Sequence, residues 1–456
     1  MKTGKIITKT ASLYSGPLPE ETMDFLRGMA RDYCKVKNYV YGRYSGIAYA
    51  NRLTPVYGIL NEMRYCGLRQ QLNMPVVYYE LAISEAVGDI KAMWAMLKNK
   101  IRSLINENEN LSEGDRLYLR TVLKINSTFA AVLNRQDYEM PDKAKDIELD
   151  VKRLNNLLCR LVRRHLKTPR QEKADCFLVS PNGCSSDENG LYLTSRMPRR
   201  RIFIPIKGIG GTDRQLRIIV RENNVRITFP VDVEARKRKD YTNTVYAYIG
   251  YSDMLTLSNG NVYGKDLGGL ATPETERLSE KNNERGRIYA VYRKKAEQTM
   301  EESTKTQEKW KEKLQENNFG RIKYDGQKRR MREKTQNFIN AELNRMFREE
   351  KPEKIVITKP VIKNRAKNYS KPLNRKMSRS FRGYIRDQIA FKCRLNTVEL
   401  MEISSKGTGS VCSCCGSEGK RVKADFICEA CGYKSTIAVN SARNIEKLAK
   451  NAESRK

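Results

Sequence analysis

Hydrophobic positions change period twice along this chain of 456 residues. Residues 5–16 alternate apolar and polar, the two-residue period of a strand. From about 18 to 170, apolar side chains recur every three or four residues. Pro19 with Glu20 and Glu21 marks a helix start, and segments 20–40, 76–106, 113–135 and 144–167 are predicted helices. Leu81, Ile83, Val87, Ile90, Met93 and Leu97 form one such stripe, and breaks are expected near Thr54-Pro55 and Asn106–Asn110. From about 175 to 250 the period returns to two. Strands are predicted at Phe177-Leu-Val-Ser, Leu191-Tyr-Leu, Arg201-Ile-Phe-Ile-Pro-Ile, Leu216-Arg-Ile-Ile-Val, Val225-Arg-Ile-Thr-Phe and Val245-Tyr-Ala-Tyr-Ile-Gly. Beyond 255 the two patterns alternate. A strand-turn enters Gly264-Lys-Asp-Leu-Gly, and Arg287-Ile-Tyr-Ala-Val-Tyr reads as a second strand. Charged helices are expected over 296–317 and 326–350, a strand at Lys354-Ile-Val-Ile-Thr, a helix over 376–394, a strand at Thr397–Ile403 and a closing helix over 440–450.

This order implies a multidomain α+β protein. Residues 1–17 give the first strand of a small β-barrel and 18–172 a helical insertion. Residues 173–254 complete the barrel, because several short, regularly spaced strands favour one. Residues 255–410 begin an α/β domain with long helices over 296–350, 411–434 form a cysteine module, and 435–456 end the α/β domain. No internal repeat is visible.

Charge sharpens the picture. Lys and Arg total 87 against 53 Asp and Glu, a net of +34. A fold this far from neutrality repels itself unless a polyanion neutralises it, and nucleic acid is such a polyanion. The charge is spread along the chain and not gathered on one amphipathic helix, which argues against a membrane surface. No run of 18 apolar residues is present, and the start of the chain carries no signal core, so a cytoplasmic, nucleoid-associated protein is expected. A single histidine, His165, lies in a basic helix and excludes any mechanism needing two.

Five of the eleven cysteines fall between 412 and 431. In a cytosolic chain they are not a disulfide framework. Cys412-Ser-Cys-Cys415 and Cys428-Glu-Ala-Cys431 are two C-x-x-C knuckles, each aiming two thiolates at one centre. Four thiolates around tetrahedral Zn²⁺ make a closed structural site. Cys414 is the spare thiol and a possible competing ligand.

Gly264-Lys-Asp266-Leu-Gly resembles the first RuvC motif, G-x-D-x-G, of TnpB and the compact type V CRISPR effectors. Thr408-Gly-Ser-Val-Cys-Ser-Cys-Cys-Gly and Phe426-Ile-Cys-Glu-Ala-Cys-Gly, followed by Val439-Asn-Ser-Ala-Arg-Asn-Ile, resemble that family's zinc module running into its last RuvC motif. The resemblance covers roughly 255–450. Upstream, the barrel and its helical insertion are similar in layout to the family's wedge and recognition domains. The resemblance implies a RuvC, RNase H-like domain, a guide RNA, and double-stranded target DNA with a short flanking motif. It also implies a nuclease centre in which three carboxylates hold two Mg²⁺ ions, as in-line phosphodiester attack requires. Asp266 matches the first carboxylate; its other reading is a turn or helix-cap aspartate. The second, a Glu at a strand end, is replaced by Thr358 or Lys359, and the third by Ala438. One carboxylate does not neutralise two divalent cations. The resemblance therefore implies a guide-RNA-dependent DNA binder that acts by occupancy, repressing transcription or recruiting a transcription or transposition partner. The alternative is an active RNA-guided endonuclease with a rearranged or deliberately mutated centre, for instance with Glu353, Glu399 or Glu402 moved in.

The densest basic clusters are Arg199-Arg200-Arg201, Arg236-Lys237-Arg238-Lys239, Lys328-Arg329-Arg330 and Arg379-Ser-Phe-Arg382. Arginine forks suit phosphate. Phe381, Tyr384 and Tyr369 interleave with the last cluster, and Tyr39, Tyr41, Tyr44, Tyr49 and Tyr57 with charges near the N-terminus, as stacking on unpaired bases requires.

Overall fold

The computed structural model describes residues 6–50, 56–142, 145, 147–210, 213–298, 312, 314, 321–359 and 381–454. Two units each hold their own core, Thr8–Asp232 and the chain from Val233 onward.

The first unit opens with β1 (Ile6–Tyr14). Helix α1 (Glu20–Tyr44) follows Pro19, with two acidic residues facing the positive end of its dipole. Then come α2 (Tyr57–Arg64), α3 (Leu68–Gln71) and α4 (Val76–Glu107). The predicted 113–135 helix is two helices, α5 (Glu113–Lys124) and α6 (Asn126–Asn134), because the β-branched Ile125 between them is extended at φ −90°, ψ 110°. Ser112 and Asp115 form a reciprocal capping box on α5. Asp150 caps α7 (Val151–His165), later than the predicted start at 144. Strands β2 (Cys176–Val179), β3 (Cys184–Ser186), β4 (Gly190–Thr194), β5 (Arg201–Pro205), β6 (Leu216–Val220) and β7 (Val225–Glu234) complete the unit. They pair as two antiparallel sheets, β1-β7-β6-β2 and β3-β4-β5, and not as the single closed barrel expected from their spacing. Nor are helices and strands separate at 172/173. Tyr78 of α4 meets Phe177 of β2 edge-on at 5.7 Å, and both belong to one buried cluster running from Leu18 to Ile227. The buried Lys37 amine is matched in that unit by Glu85 at 3.3 Å and Asp89 at 2.9 Å, with Arg217 on the other oxygen of Glu85 at 2.7 Å.

The second unit contains β8 (Asn243–Ile249), β9 (Leu255–Leu257), β10 (Val262–Tyr263), α8 (Leu267–Gln298), α9 (Arg321–Glu350), β11 (Pro352–Thr358), α10 (Arg382–Asn396), β12 (Glu399–Ile403), β13 (Lys420–Val422), β14 (Asp425–Ile427), β15 (Lys434–Thr436) and α11 (Ile437–Glu453). Its sheet has the order β10-β9-β8-β11-β12, with β8, β11 and β12 parallel and β9 antiparallel to β8. β8 therefore belongs here, and the boundary expected at 254 falls near 232. Central β11 reads Ile-Val-Ile because both its faces are covered. Ile355 and Ile357 pack with Ile339, Leu343, Ile385 and Ile389 of α9 and α10. Val356 packs on the other face with Ile403 and with Ile445 and Ala449 of α11. The predicted strand at Arg287–Tyr292 is helical, inside α8. Its apolar run is set among Glu, Lys and Arg, good helix formers, and that context outweighs the β-leaning side chains. The predicted 296–317 helix lies almost wholly outside the described residues.

Candidate metal centre and nucleic-acid interface

The cysteine module is assembled from two reversals. Gly416 donates its amide to the Cys412 carbonyl and Gly432 donates to Cys428, each at 3.0 Å, and both glycines have positive φ, +83° and +71°. That left-handed geometry favours glycine and turns each C-x-x-C pair back on itself. The four sulfurs of Cys412, Cys415, Cys428 and Cys431 lie within 4.8 Å of one another. Cys412 and Cys431 approach to 3.7 Å and Cys415 and Cys428 to 3.5 Å. Tetrahedral zinc with bonds of about 2.3 Å separates sulfurs by about 3.8 Å, so the donor set fits Zn²⁺. The Ser417 amide, first, and its hydroxyl push the Cys415 thiol down to about 6, toward the thiolate a metal needs. Cys414 is exposed and outside the cluster, its amide donating to the Cys412 sulfur at 3.3 Å. Phe426 is fully buried beneath the knuckles with Cys412 and Cys428.

Two asparagines of α11 fasten this module to that helix, a role the sequence alone does not announce. Asn440 accepts from the Ser413 amide and donates to the Val411 carbonyl, both at 2.8 Å, and is fully buried. Asn444 donates to Thr408 at 3.0 Å and to Val411 at 2.7 Å.

The other face of α11 lies on the sheet. Lys450 stands 6.0 Å from the Tyr246 ring, and Glu453 meets Lys354, near the start of β11, at 2.6 Å. The helix thus runs against the strands, and its first turn reaches their carboxyl ends. Ala438 shares a stripe with buried Ala442, Ile445 and Ala449 at helical spacing. Register places Val356 opposite Tyr246, two residues short of Tyr248 and Thr358 on their strands, and Thr358 pairs with Ile403 on the other side. Thr358 is buried, whereas Lys359 is exposed and, by alternation, points to the opposite face. Tyr248 packs with Met401 and Ile403 on this face of the sheet, Thr358 lies at the end of β11, and Ala438 begins the helix at the same end.

Asp266 sits elsewhere. It follows the edge strand β10, with β9 and β8 between it and β11. Its amide donates to Asp253 at 2.8 Å, and its carboxylate accepts from the Gly269 amide at 3.0 Å at the start of α8. Its local role is that of a cap. The substitute carboxylates are also placed away: Glu399 pairs with Lys354 at 3.0 Å, Glu402 alternates to the α10 face and meets Arg386 at 3.4 Å, and Glu353 lies at the opening end of β11. Among the described residues, the four cysteines are the one group of three or more His, Cys, Asp or Glu side chains close enough to share a metal.

The basic clusters separate into exposed and half-buried members. Arg199, Arg200 and Arg201 are exposed at the entry to β5, around a groove also lined by Arg69. Arg236, Lys237 and Arg238 are exposed ahead of β8, and Arg329 and Arg330 on α9. Arg379 and Tyr369 lie outside the described residues. Arg382 is half-buried and engaged: it donates to the Tyr251 hydroxyl and the Ile249 carbonyl, both at 2.8 Å, and lies over the Tyr251 ring. Of the N-terminal tyrosines, Tyr41 and Tyr44 are buried on Asp89 and Glu62, while Tyr39 and Tyr57 are exposed.

Residues 383–445, from α10 through the cysteine module to α11, match the family model described as Cas12f1-like, TNB domain. That stretch is similar to the corresponding domain of the compact, TnpB-like type V proteins. Solved structures similar to this chain include a Cas12f1–sgRNA–target DNA complex, at 14% identity over 96% of this chain and 98% of that one, TM-score 0.29. CasPhi-2 (Cas12j) bound to crRNA aligns at 10% identity over 98% and 99%, TM-score 0.48. The mini-RNA-guided endonuclease Cas_phi3 aligns at 11% over 98% and 92%, TM-score 0.43. No curated protein matches the chain by sequence. Among the described residues, no helix is long and apolar enough to cross a membrane.

Proposed function

We propose that this chain is a compact type V protein and a guide-RNA-dependent DNA binder that occupies its target without cutting it. In this reading the five-stranded sheet with α11 is a RuvC-like scaffold, and the end of the sheet holding Tyr248, Thr358 and Ala438 is where its nuclease centre would stand. The observation that carries the reading is the chemistry of those three side chains. A phenol, a hydroxyl and a methyl group offer no anionic oxygen, and Mg²⁺ demands hard, charged oxygen ligands. These residues do not fit a two-metal site. What remains is a strongly basic chain, net +34, able to hold RNA and DNA phosphates by counterion release. Guide pairing would read the target, and the protein a short flanking motif. Occupancy then represses transcription or presents a partner from the transcription or transposition machinery.

The test is to purify the chain, sequence the RNA that accompanies it, and offer matched DNA with Mg²⁺. Bound, intact DNA is expected, and Asp266→Ala should leave binding nearly unchanged. Cleavage should require Tyr248→Asp, Thr358→Glu and Ala438→Asp together. Cutting by the unaltered chain would establish the alternative, an active endonuclease with a rearranged centre.

A further inference from the structure

The outer face of the three-stranded sheet β3-β4-β5 is unlike an ordinary solvent face. Direct register places Ser185, Tyr192 and Phe203 in one row and Thr194 and Arg201 in the next. Leu191, Leu193 and Ile204 are buried, yet Phe203 stays 39% exposed. Its ring centroid is 4.9 Å from that of Tyr192, with the planes tilted by 36°. Gly190 permits this pose. A Cβ there would come within 2.8 Å of Cε2 of Phe203 and 2.3 Å of the Ile204 carbonyl oxygen, so only glycine lets the ring lie beside the strand. The Tyr192 hydroxyl donates to Asp187 at 2.9 Å, and Arg201 donates to the Ser185 hydroxyl. The aromatic pair is thus held in place before any ligand arrives.

Cations border the pair. Phe203, Ile202 and Met197 line a groove of about 550 Å³ together with Arg200, Arg201 and a single carboxylate, Glu21. A neighbouring groove of about 480 Å³ adds Arg69 and Arg199, with no carboxylate among its lining residues. Arg196 is committed to Asp32 at 2.5 Å, whereas Arg199, Arg200 and Arg201 are exposed. Aromatic faces beside exposed guanidiniums match one ligand chemistry: an unpaired base on the rings and its phosphates on the arginines. Paired bases in a duplex are stacked on each other and offer no free face. In the function proposed above, the guide is bound before any DNA is opened, so the unpaired nucleotides available to a preformed platform are those of the guide.

We propose that Phe203 and Tyr192 stack an unpaired nucleotide of the guide RNA, whose adjoining phosphates lie against Arg199, Arg200 and Arg201. This rests on the guide-RNA reading. The test uses the full chain with its co-purified RNA, ultraviolet crosslinking with mass spectrometry, and RNA affinity of Phe203→Leu, which keeps an apolar side chain on the sheet, and of the Arg200→Ala/Arg201→Ala pair. A ribonucleotide adduct within 190–205 is expected. Loss of the ring should weaken RNA binding about 5- to 150-fold, the range for one stacked base, with unfolding temperature unchanged. RNA that co-purifies, crosslinks only elsewhere and binds Phe203→Leu within twofold overturns this site and leaves the guide reading standing. An adduct with deoxyribonucleotides alone, or with a protein, also overturns it. A chain that carries no RNA overturns both.

Discussion

Replacing Asn440 by Ala tests how the cysteine module is held. Two hydrogen bonds disappear, but their costs differ. The Val411 carbonyl keeps its second donor, Asn444 at 2.7 Å, so it stays satisfied. The Ser413 amide loses its partner, and the site is buried, with Asn440 itself fully enclosed. An unpaired buried backbone donor costs about 1–3 kcal/mol. Ser413 lies inside the first C-x-x-C knuckle, so the loss should appear as easier opening of that knuckle. The expected result is zinc release to a chelator about 5- to 150-fold faster than from the unaltered chain, with faster amide exchange over 411–416 and unchanged exchange in α4. Asn444→Ala is the internal comparison. It strands only the Thr408 carbonyl, whose second lone pair tolerates poor pairing better, so its release should lie between the two. Equal release rates for Asn440→Ala and the unaltered chain would refute the claim that this side chain carries the module.

Two further outcomes follow from the cysteines. Cys428→Ser with Cys431→Ser should take bound zinc from one per chain to none and unfold residues 411–434; unchanged zinc content would sink the four-sulfur assignment. Burial pushes the Cys393 thiol up to about 12, so at pH 8 iodoacetamide should modify exposed Cys414 and leave Cys393 untouched in the native chain. Modification of Cys393 at the rate of a free thiol would show that α10 is not packed as described.

Much of the architecture was legible because it is local. The stripes of α1 and α4 repeat at helical spacing over many turns, and each C-x-x-C pair needs only one turn to form. Non-local features were harder. The Gly264-Lys-Asp-Leu-Gly string offered the expected letters, while the strand that sits beside β11 is Val245-Tyr-Ala-Tyr-Ile, with no carboxylate to mark it. Only cross-strand register, which sets Val356 opposite Tyr246, brings Tyr248 to the end of the sheet where Thr358 lies, and register is set by pairing across about a hundred residues of intervening chain. The barrel expectation failed for a related reason: alternation announces strands but not which edges meet. Gly190 and Phe203 were invisible as a pair because their contact crosses β4 and β5. Arg382 lay in a basic run that suggested phosphate, and its partners, Tyr251 and Ile249, appear only once α10 lies against β8.

The patch around Tyr246, Tyr248, Thr358, Met401 and Ile403 has a thermodynamic consequence. Carboxylates crowded at one end of a sheet repel each other and must be discharged by cations, so such sites strain the fold that carries them. Here that spot is filled by rings, a hydroxyl and methyl groups that are content without any ion. Stripping divalent metal with a mild magnesium chelator should leave this sheet as firm as before, and reinstalling acids would loosen it before it conferred any chemistry.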